Sequence, residues 1–389
     1  MRSFLKRFIT RFFKSYSVKE YNYALFALVL ILTMVGLAVI GSANPDARAK
    51  QIIGMILGIA ALLFLSVTDY MWIQDLHWVL YIALISILIF VKLFGENYNG
   101  ARRWIAIGSF TFQPSELAKI IMIIWAARFI MNHRKMINKP SVLLQYFGFA
   151  AIPLALIYMQ PDMSTTISIG IVLLVILFMG GISYRYIVAA AATAVPLLVI
   201  FLSIVVQPDQ KLIKSYQQDR ILAWLEPEKY STSDGWQQQN SIMAIGSGQL
   251  SGKGLNNETA DSVKNGNYIV EPETDFIFAI IGEELGFIGC CAVIGLLAGI
   301  VFLIIRTGTL ARDIGGQLLC YGIASQIAFQ GFMNISVATG LAPNTGIPLP
   351  FVSAGLTSLV SLYAGIGLVL NVGLQKNYIS RTGGELATW

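Results

Sequence analysis

"EPETDFIFAIIGEELGFIG", residues 271 to 289, decides how this chain is read. Glu271, Glu273 and Asp275 crowd the entrance of an apolar run, and Glu283 and Glu284 sit inside it. Ionisable groups are expensive in hydrocarbon, so acids kept in such a run mark either bonds between helices or a functional site.

Composition puts the run in a membrane. Of 389 residues, 56% are hydrophobic and 12% charged, with a mean hydropathy of +0.68. A soluble fold of this length needs a far more polar exterior. Apolar runs of about 20 residues, the length of a bilayer core, occur near 22–42, 50–68, 77–95, 114–132, 143–159, 165–181, 186–206, 274–306, 312–338 and 350–374. They predict an all-α polytopic membrane protein of about ten transmembrane helices, with residues 1–389 forming a single integral membrane domain.

An even number of crossings puts both termini on one side. That side carries fourteen basic residues: Arg2, Lys6, Arg7, Arg11, Lys14 and Lys19 in the N-terminal tail, Arg134, Lys135 and Lys139 in one loop, and Arg185, Arg306, Arg312, Lys376 and Arg381. Short loops of the other side hold only Arg48, Lys50, Arg102 and Arg103. The positive-inside rule then places both termini in the cytoplasm. The tail, residues 1–20, spaces Phe4, Phe8 and Phe12 at i, i+4, i+8 among its cations, as an amphipathic helix on the inner leaflet would. A cleaved signal peptide is the alternative, but the run from 22 to 42 is longer than an h-region. The pI of 9.1 therefore reflects topology, and no nucleic-acid partner is expected.

Cys290, Cys291 and Cys320 all fall within spans, where a thiol behaves as a small hydrophobe. His77 and His133 lie at cytoplasmic span ends, far from the acids of residues 271–275, so neither histidine catalysis nor a metal site is expected. The sequence leaves a divalent-cation requirement open.

One long connection, 207–273, joins the seventh and eighth spans and faces outward on this topology. A connection of that length is usually functional. Its "IGSGQLSGKGLNN" could cradle an anion on backbone NH groups or form a plain re-entrant turn. The other outward stretches, "NGARRWIAIGSFTFQPSELAK", "QPDMSTT" and "GLAPNTGIPLPFVSAGLTS", are polar or rich in glycine and proline. Irregular backbone at membrane depth is tolerated where protein buries it or where it lines a wet cavity, so these loops predict an outward-facing cavity.

Asp275 near a helix start fits a catalytic base at that cavity, and it equally fits helix capping. Glu283 and Glu284 lie about 12 to 14 Å deeper at roughly 1.5 Å per residue, too deep for direct chemistry; they bond other helices or sit protonated, or else they form a proton route. Glu116 and Lys119, at i and i+3, either pair with each other or leave Lys119, with Arg102 and Arg103, to hold a phosphate group. For the arginines the alternative is anchoring to lipid headgroups. Gln326, Gln330 and Asn334 form a polar stripe suited to interhelical hydrogen bonds.

"GARRWI", "PSELAK", "QPDMSTT", "AIGSGQLSGKGL", "TDFIFAIIGEELG" and "TGIPLPFVS" resemble, in order, spacing and membrane setting, the motifs of the SEDS family (shape, elongation, division and sporulation). The resemblance covers nearly the whole chain from the first span onward. It implies a ten-span peptidoglycan glycosyltransferase of the bacterial cytoplasmic membrane that polymerises lipid II at the outer face. It further implies a single-pass class B penicillin-binding protein as transpeptidase partner. Carried over, Asp275 matches the family's essential acid, and Arg103, Trp104, Glu116 and Lys119 match positions in its outer motifs. Two departures stand out: Glu273 occupies the place where many relatives have histidine, and "SAGLTS" at 353–358 replaces "SYGGSS". A lipid-linked precursor flippase and a non-catalytic cell-wall scaffold are the competing functions. A flippase should carry charges near the midplane on several helices, whereas here the polar motifs cluster on one side.

Overall fold

In the computed structural model the described residues are 20–375, apart from 99–100, 109, 208–209, 211–212, 214, 231, 234, 258–261, 263–265 and 267. The expected amphipathic helix of residues 1–20 lies outside them, save for its last residue.

Helices occupy all ten expected runs: α1 Tyr23–Ala43, α2 Pro45–Val67, α4 His77–Phe94, α5 Pro114–His133, α6 Pro140–Tyr158, α7 Met163–Met179, α8 Tyr184–Val205, α11 Ile277–Thr309, α12 Ile314–Ala338 and α13 Leu356–Gln375. Among the described residues three short α-helices, α3 Tyr70–Asp75, α9 Ser215–Leu225 and α10 Trp236–Ser247, and a 3-10 turn, Arg134–Met136, join them. Among the described residues seven helices are long and apolar enough to cross a membrane: α1, α2, α4, α6, α8, α11 and α13. The protein is an all-α polytopic membrane protein.

The two long helices outside that set, α5 and α12, are buried along most of their length. Shielded from lipid, they can carry Glu116, Lys119, Gln326, Gln330 and Asn334, all buried. α8 stands at the periphery with most of its side chains exposed, and its composition is correspondingly apolar. α2 and α13 pack closely because Gly58 leaves room for the Tyr363 ring, whose hydroxyl donates to Thr33 Oγ1 on α1 at 2.9 Å.

Turn chemistry sets the helix starts. Asn44 ends α1 and begins α2, its Oδ1 accepting from the Asp46 and Ala47 NH groups, with Pro45 in the first turn. Asp162 caps α7 by accepting from Thr165 N at 3.2 Å, and Asp313 caps α12 by accepting from Gly316 N at 2.7 Å.

The stretch from 96 to 112 is more ordered than a loop. β1 Glu96–Tyr98, β2 Ala101–Ile107 and β3 Phe110–Phe112 form an antiparallel sheet in sequence order, with Glu96 opposite Trp104 and Ile105 opposite Phe112. The 207–273 connection likewise holds α9 and α10 rather than unbroken loop. α10 is tied to the end of α12: Gln238 Nε2 donates to the Val337 and Ala342 carbonyls, each at 2.8 Å, and Ser241 Oγ to the Ala338 carbonyl at 2.7 Å.

α11 starts at Ile277, three residues later than the apolar run suggests, and breaks at Gly286, whose φ of +65° and ψ of −164° leave the helical region. The glycine-rich turn repairs the break. Phe287 N and Ile288 N donate to the carbonyls of Gln249 and Leu250, while Lys253 N and Gly254 N donate to those of Glu283 and Glu284. Lys253 Nζ also pairs with Glu283 Oε1 at 2.9 Å, and Ser42 Oγ donates to Glu284 Oε1. The turn is therefore a re-entrant splice into α11. Its Lys253 and Gly254 NH groups serve that helix and are not offered to a phosphate.

Candidate functional site

One end of the bundle encloses a cavity of about 850 Å³. Its walls come from β2, the starts of α5 and α7, α9, residues 271–275, the irregular segment 343–348, and residues 354–358, which lead into α13.

Asp275 sits in the turn just before α11 and faces this cavity half-buried. Its backbone is fixed on both sides. Asn334 Nδ2, on α12, donates to the Asp275 carbonyl and to the Ile347 carbonyl, both at 2.8 Å. Ser353 Oγ donates to the Thr274 carbonyl, and Ala354 N to the Glu273 carbonyl at 2.8 Å. Space for the carboxylate depends on Gly346: a Cβ there would stand 3.2 Å from Asp275 Oδ2. Asp275 does not cap α11, which has no side-chain cap. Among the described residues its carboxylate accepts no hydrogen bond and opens onto the cavity. Burial raises its pKa above the usual carboxylate value, with Arg220 opposing and Glu271 adding to the rise.

Of the residues singled out in sequence, Arg103, Trp104, Glu116, Lys119 and Asp275 all line the cavity. Arg102 does not: its guanidinium turns to the Leu93 carbonyl, 3.4 Å away on the exposed surface. Arg103 donates to the Gln160 carbonyl at 2.9 Å and to the Pro161 carbonyl, so it ties β2 to the start of α7. Both acceptors are neutral, and the guanidinium charge is left uncompensated by them. Lys119 Nζ pairs with Glu116 Oε1 at 2.7 Å, both side chains buried in the cavity wall.

Three lining residues, Asp162, Lys50 and Arg220, escaped the sequence reading, and a fourth, Glu273, entered it only as one of the acids at the head of the run and as a departure from the family pattern. Asp162, inside the quoted "QPDMSTT", accepts from Gln113 Nε2 at 3.1 Å and Ser115 Oγ at 3.0 Å besides its cap bond. Lys50 and Arg220 line the cavity without an ion pair among the described residues. Glu273 is buried, with Oε1 accepting from Asn44 Nδ2 at 2.7 Å. Asp162 could have been found from its capping position, and Arg220 from the amphipathic pattern of "SYQQDRILAWL". Nothing local to Lys50 signals that it meets a cavity built from segments distant in sequence.

Among the described residues the site thus offers two carboxylates without a hydrogen-bond partner, Asp275 and the exposed Glu271, and three cations, Lys50, Arg103 and Arg220, free of carboxylate partners. Such a set can accept a proton and offset a multiply charged anion.

Comparison with known proteins gives this arrangement its family. The FtsW/RodA/SpoVE cell cycle protein family matches residues 17–378. The chain belongs to this family. The SEDS resemblance read from the motifs is thus a membership. A probable peptidoglycan glycosyltransferase FtsW of Trichlorobacter lovleyi is 33% identical over 385 residues, covering 95% of this chain and 97% of that one. The peptidoglycan glycosyltransferase MrdB of Escherichia coli is 34% identical over 313 residues, covering 78% and 79%. Among solved structures, a chain from a peptidoglycan synthase complex that coordinates polymerization and crosslinking aligns with a TM-score of 0.76 at 25% identity, over 92% of this chain and 98% of that one. The Thermus thermophilus rod shape determining protein RodA aligns with a TM-score of 0.68 at 24% identity over 92% and 97%, a likeness of fold.

Proposed function

We propose that this protein is a peptidoglycan glycosyltransferase that polymerises lipid II at the outer face of the cytoplasmic membrane, with Asp275 as general base and both termini in the cytoplasm. The observation that carries the reading is the unengaged Asp275 carboxylate facing a cavity lined by Lys50, Arg103 and Arg220. Relatives named as peptidoglycan glycosyltransferases support the reaction class.

The chemistry follows from the substrates. A sugar hydroxyl of one lipid-linked molecule attacks the anomeric carbon of another, whose leaving group is a lipid diphosphate. Asp275 takes the hydroxyl proton as the new C–O bond forms. The bond to the diphosphate breaks with its electron pair, and the cavity cations offset the charge left on the departing group. An α-linked donor then gives a β-linked product by single displacement with inversion. One base suffices, and no covalent glycosyl intermediate forms.

A flippase would need a path through the bundle. At the end opposite the cavity, polar side chains instead bond to one another: Tyr70 OH donates to Asp313 Oδ2 at 2.5 Å, and Gln375 Nε2 to Asp69 Oδ1 at 2.8 Å. Purified protein in liposomes with lipid II, assayed for glycan chains and for lipid translocation, tests the reading. Glycan without translocation is expected. Translocation without glycan would assign a transporter, and neither activity with intact partner binding would assign a scaffold.

The partner is read as a class B penicillin-binding protein, which would supply the transpeptidase. A related fold occurring in a peptidoglycan synthase complex supports that reading.

A further inference from the structure

α9 is a short helix held against the cavity mouth by side chains of one face. Gln217, Arg220 and Trp224 fall at i, i+3 and i+7, which places them on the same side of the helix. Trp224 Nε1 donates to the Gly340 carbonyl at 3.1 Å, Arg220 Nη1 to the Asn344 carbonyl at 3.4 Å, and Gln217 Nε2 reaches Met163 Sδ at 3.5 Å. Asn344 Oδ1 in turn accepts from Gly346 N at 3.3 Å, and Gly346 is the residue whose lack of a side chain leaves room for Asp275 Oδ2. Two hydrogen bonds therefore lead from Arg220 through Asn344 to Gly346, which lies beside Asp275, and both Arg220 and Asp275 line the cavity.

We infer that Arg220 is the electrostatic partner of Asp275, a positioning residue that α9 holds at the cavity mouth to favour the charged carboxylate. This rests on the reading of Asp275 as the base.

The other charges around the cavity are placed differently. On the acid's own segment Glu271 and Glu273 are both negative. Across the cavity, Lys119 of α5 is paired with Glu116, and Asp162 of α7 is itself an acid. Arg103 of β2 is bound to the 160–161 carbonyls, and Lys50 of α2 makes no ion pair. Arg220 is the cation whose attraction opposes the rise that burial imposes on Asp275. It is exposed, so water screens part of that attraction. The chemical consequence is a base whose ionised form Arg220 favours against surroundings that favour the protonated one.

The test has two independent readouts. The protonated-carboxyl infrared band that Asp275→Asn removes is titrated against pH in purified protein without substrate, in the parent, Arg220→Gln and Arg220→Lys. Arg220→Gln should titrate about one unit higher, as expected for loss of a nearby opposite charge, and Arg220→Lys close to the parent. An unchanged titration in Arg220→Gln overturns the inference, whatever the activity.

The acid limb of kcat/KM for lipid II polymerisation should move with the titration. Below both limbs, a one-unit shift lowers kcat/KM roughly tenfold for one titrating group. A titration that shifts while the rate profile stays put would keep the pairing and instead remove Asp275 as the base.

Discussion

Lys119 Nζ stands 2.7 Å from Glu116 Oε1 on α5, and the two side chains form a buried ion pair in the wall of the cavity. In the sequence these residues could either pair with each other or leave Lys119 to hold a phosphate group. The pairing changes what their substitution should do.

Taken singly, Lys119→Met leaves Glu116 buried without its partner, a loss that costs about 3 kcal/mol in comparable buried pairs. Its melting temperature in detergent should fall clearly below the parent's, and the double variant Glu116→Gln with Lys119→Met should recover most of the loss. If Lys119→Met melts with the parent, the pair does not stabilise the fold and Lys119 is free to act on substrate.

Arg103 behaves differently, because its bonds go to two carbonyls at the cavity edge. Arg103→Gln should melt within a few degrees of the parent while the polymerisation rate at limiting lipid II falls severalfold. Full activity at limiting substrate would make the guanidinium a structural tie between β2 and α7 and nothing more.

Asp275→Asn should abolish glycan polymerisation with the fold intact, since Asn334 holds the backbone carbonyl and not the carboxylate. The base must be ionised, and burial holds its carboxyl above the usual range. The ionised fraction is therefore lost at a higher pH than in a free aspartate. The parent's kcat/KM should fall as pH drops through that raised value and level off above it. An acid limb at or below the ordinary aspartate value would count against this assignment.

Gly286 and Gly252 face each other across the splice in α11. A Cβ on Gly286 would come within 2.3 Å of Gly252 N, and one on Gly252 within 2.2 Å of the Glu284 carbonyl oxygen. Both also have positive φ. Gly286→Ala and Gly252→Ala should each destabilise by about 3 kcal/mol, the sum of a strained backbone and an overpacked contact. Thermal melts that match the parent would mean the splice can open at little cost.

Purified chain alone should yield uncrosslinked glycan. Crosslinked product from that preparation would refute the need for a transpeptidase partner.

The apolar runs and the clustering of polar motifs in the loops of one side were legible because they record, residue by residue, which segments leave water. Each of the ten runs is helical, and the "TDF" acid does face a cavity. α11 shows where that legibility stops. Its apolar run gives no sign that Gly286 breaks the helix, since a glycine is tolerated in membrane helices, and the break is stable only because residues 249–254 return to bond the freed backbone groups. Glu283 and Glu284 were expected to bond other helices: Glu284 does, accepting from Ser42 of α1, whereas Glu283 pairs with Lys253 of the glycine-rich turn, and neither partner could be read from spacing.

The site divides the same way. Asp275, Arg103, Trp104, Glu116 and Lys119 were found from local motifs, and Arg102 was grouped with them because sequence neighbours look alike until a strand turns one away. Lys50, Arg220 and the Asn44 to Glu273 bond required the folded chain. Asn44 and Glu273 are 229 positions apart, and Gln51 and Ser353 are 302 apart, yet each pair is joined by a hydrogen bond at the same end of the bundle. Hydropathy acts on each segment alone and determines that it enters the membrane. Which polar groups then share a cavity depends on how helices far apart in sequence pack against one another, a choice made by shape and hydrogen bonding among all of them together.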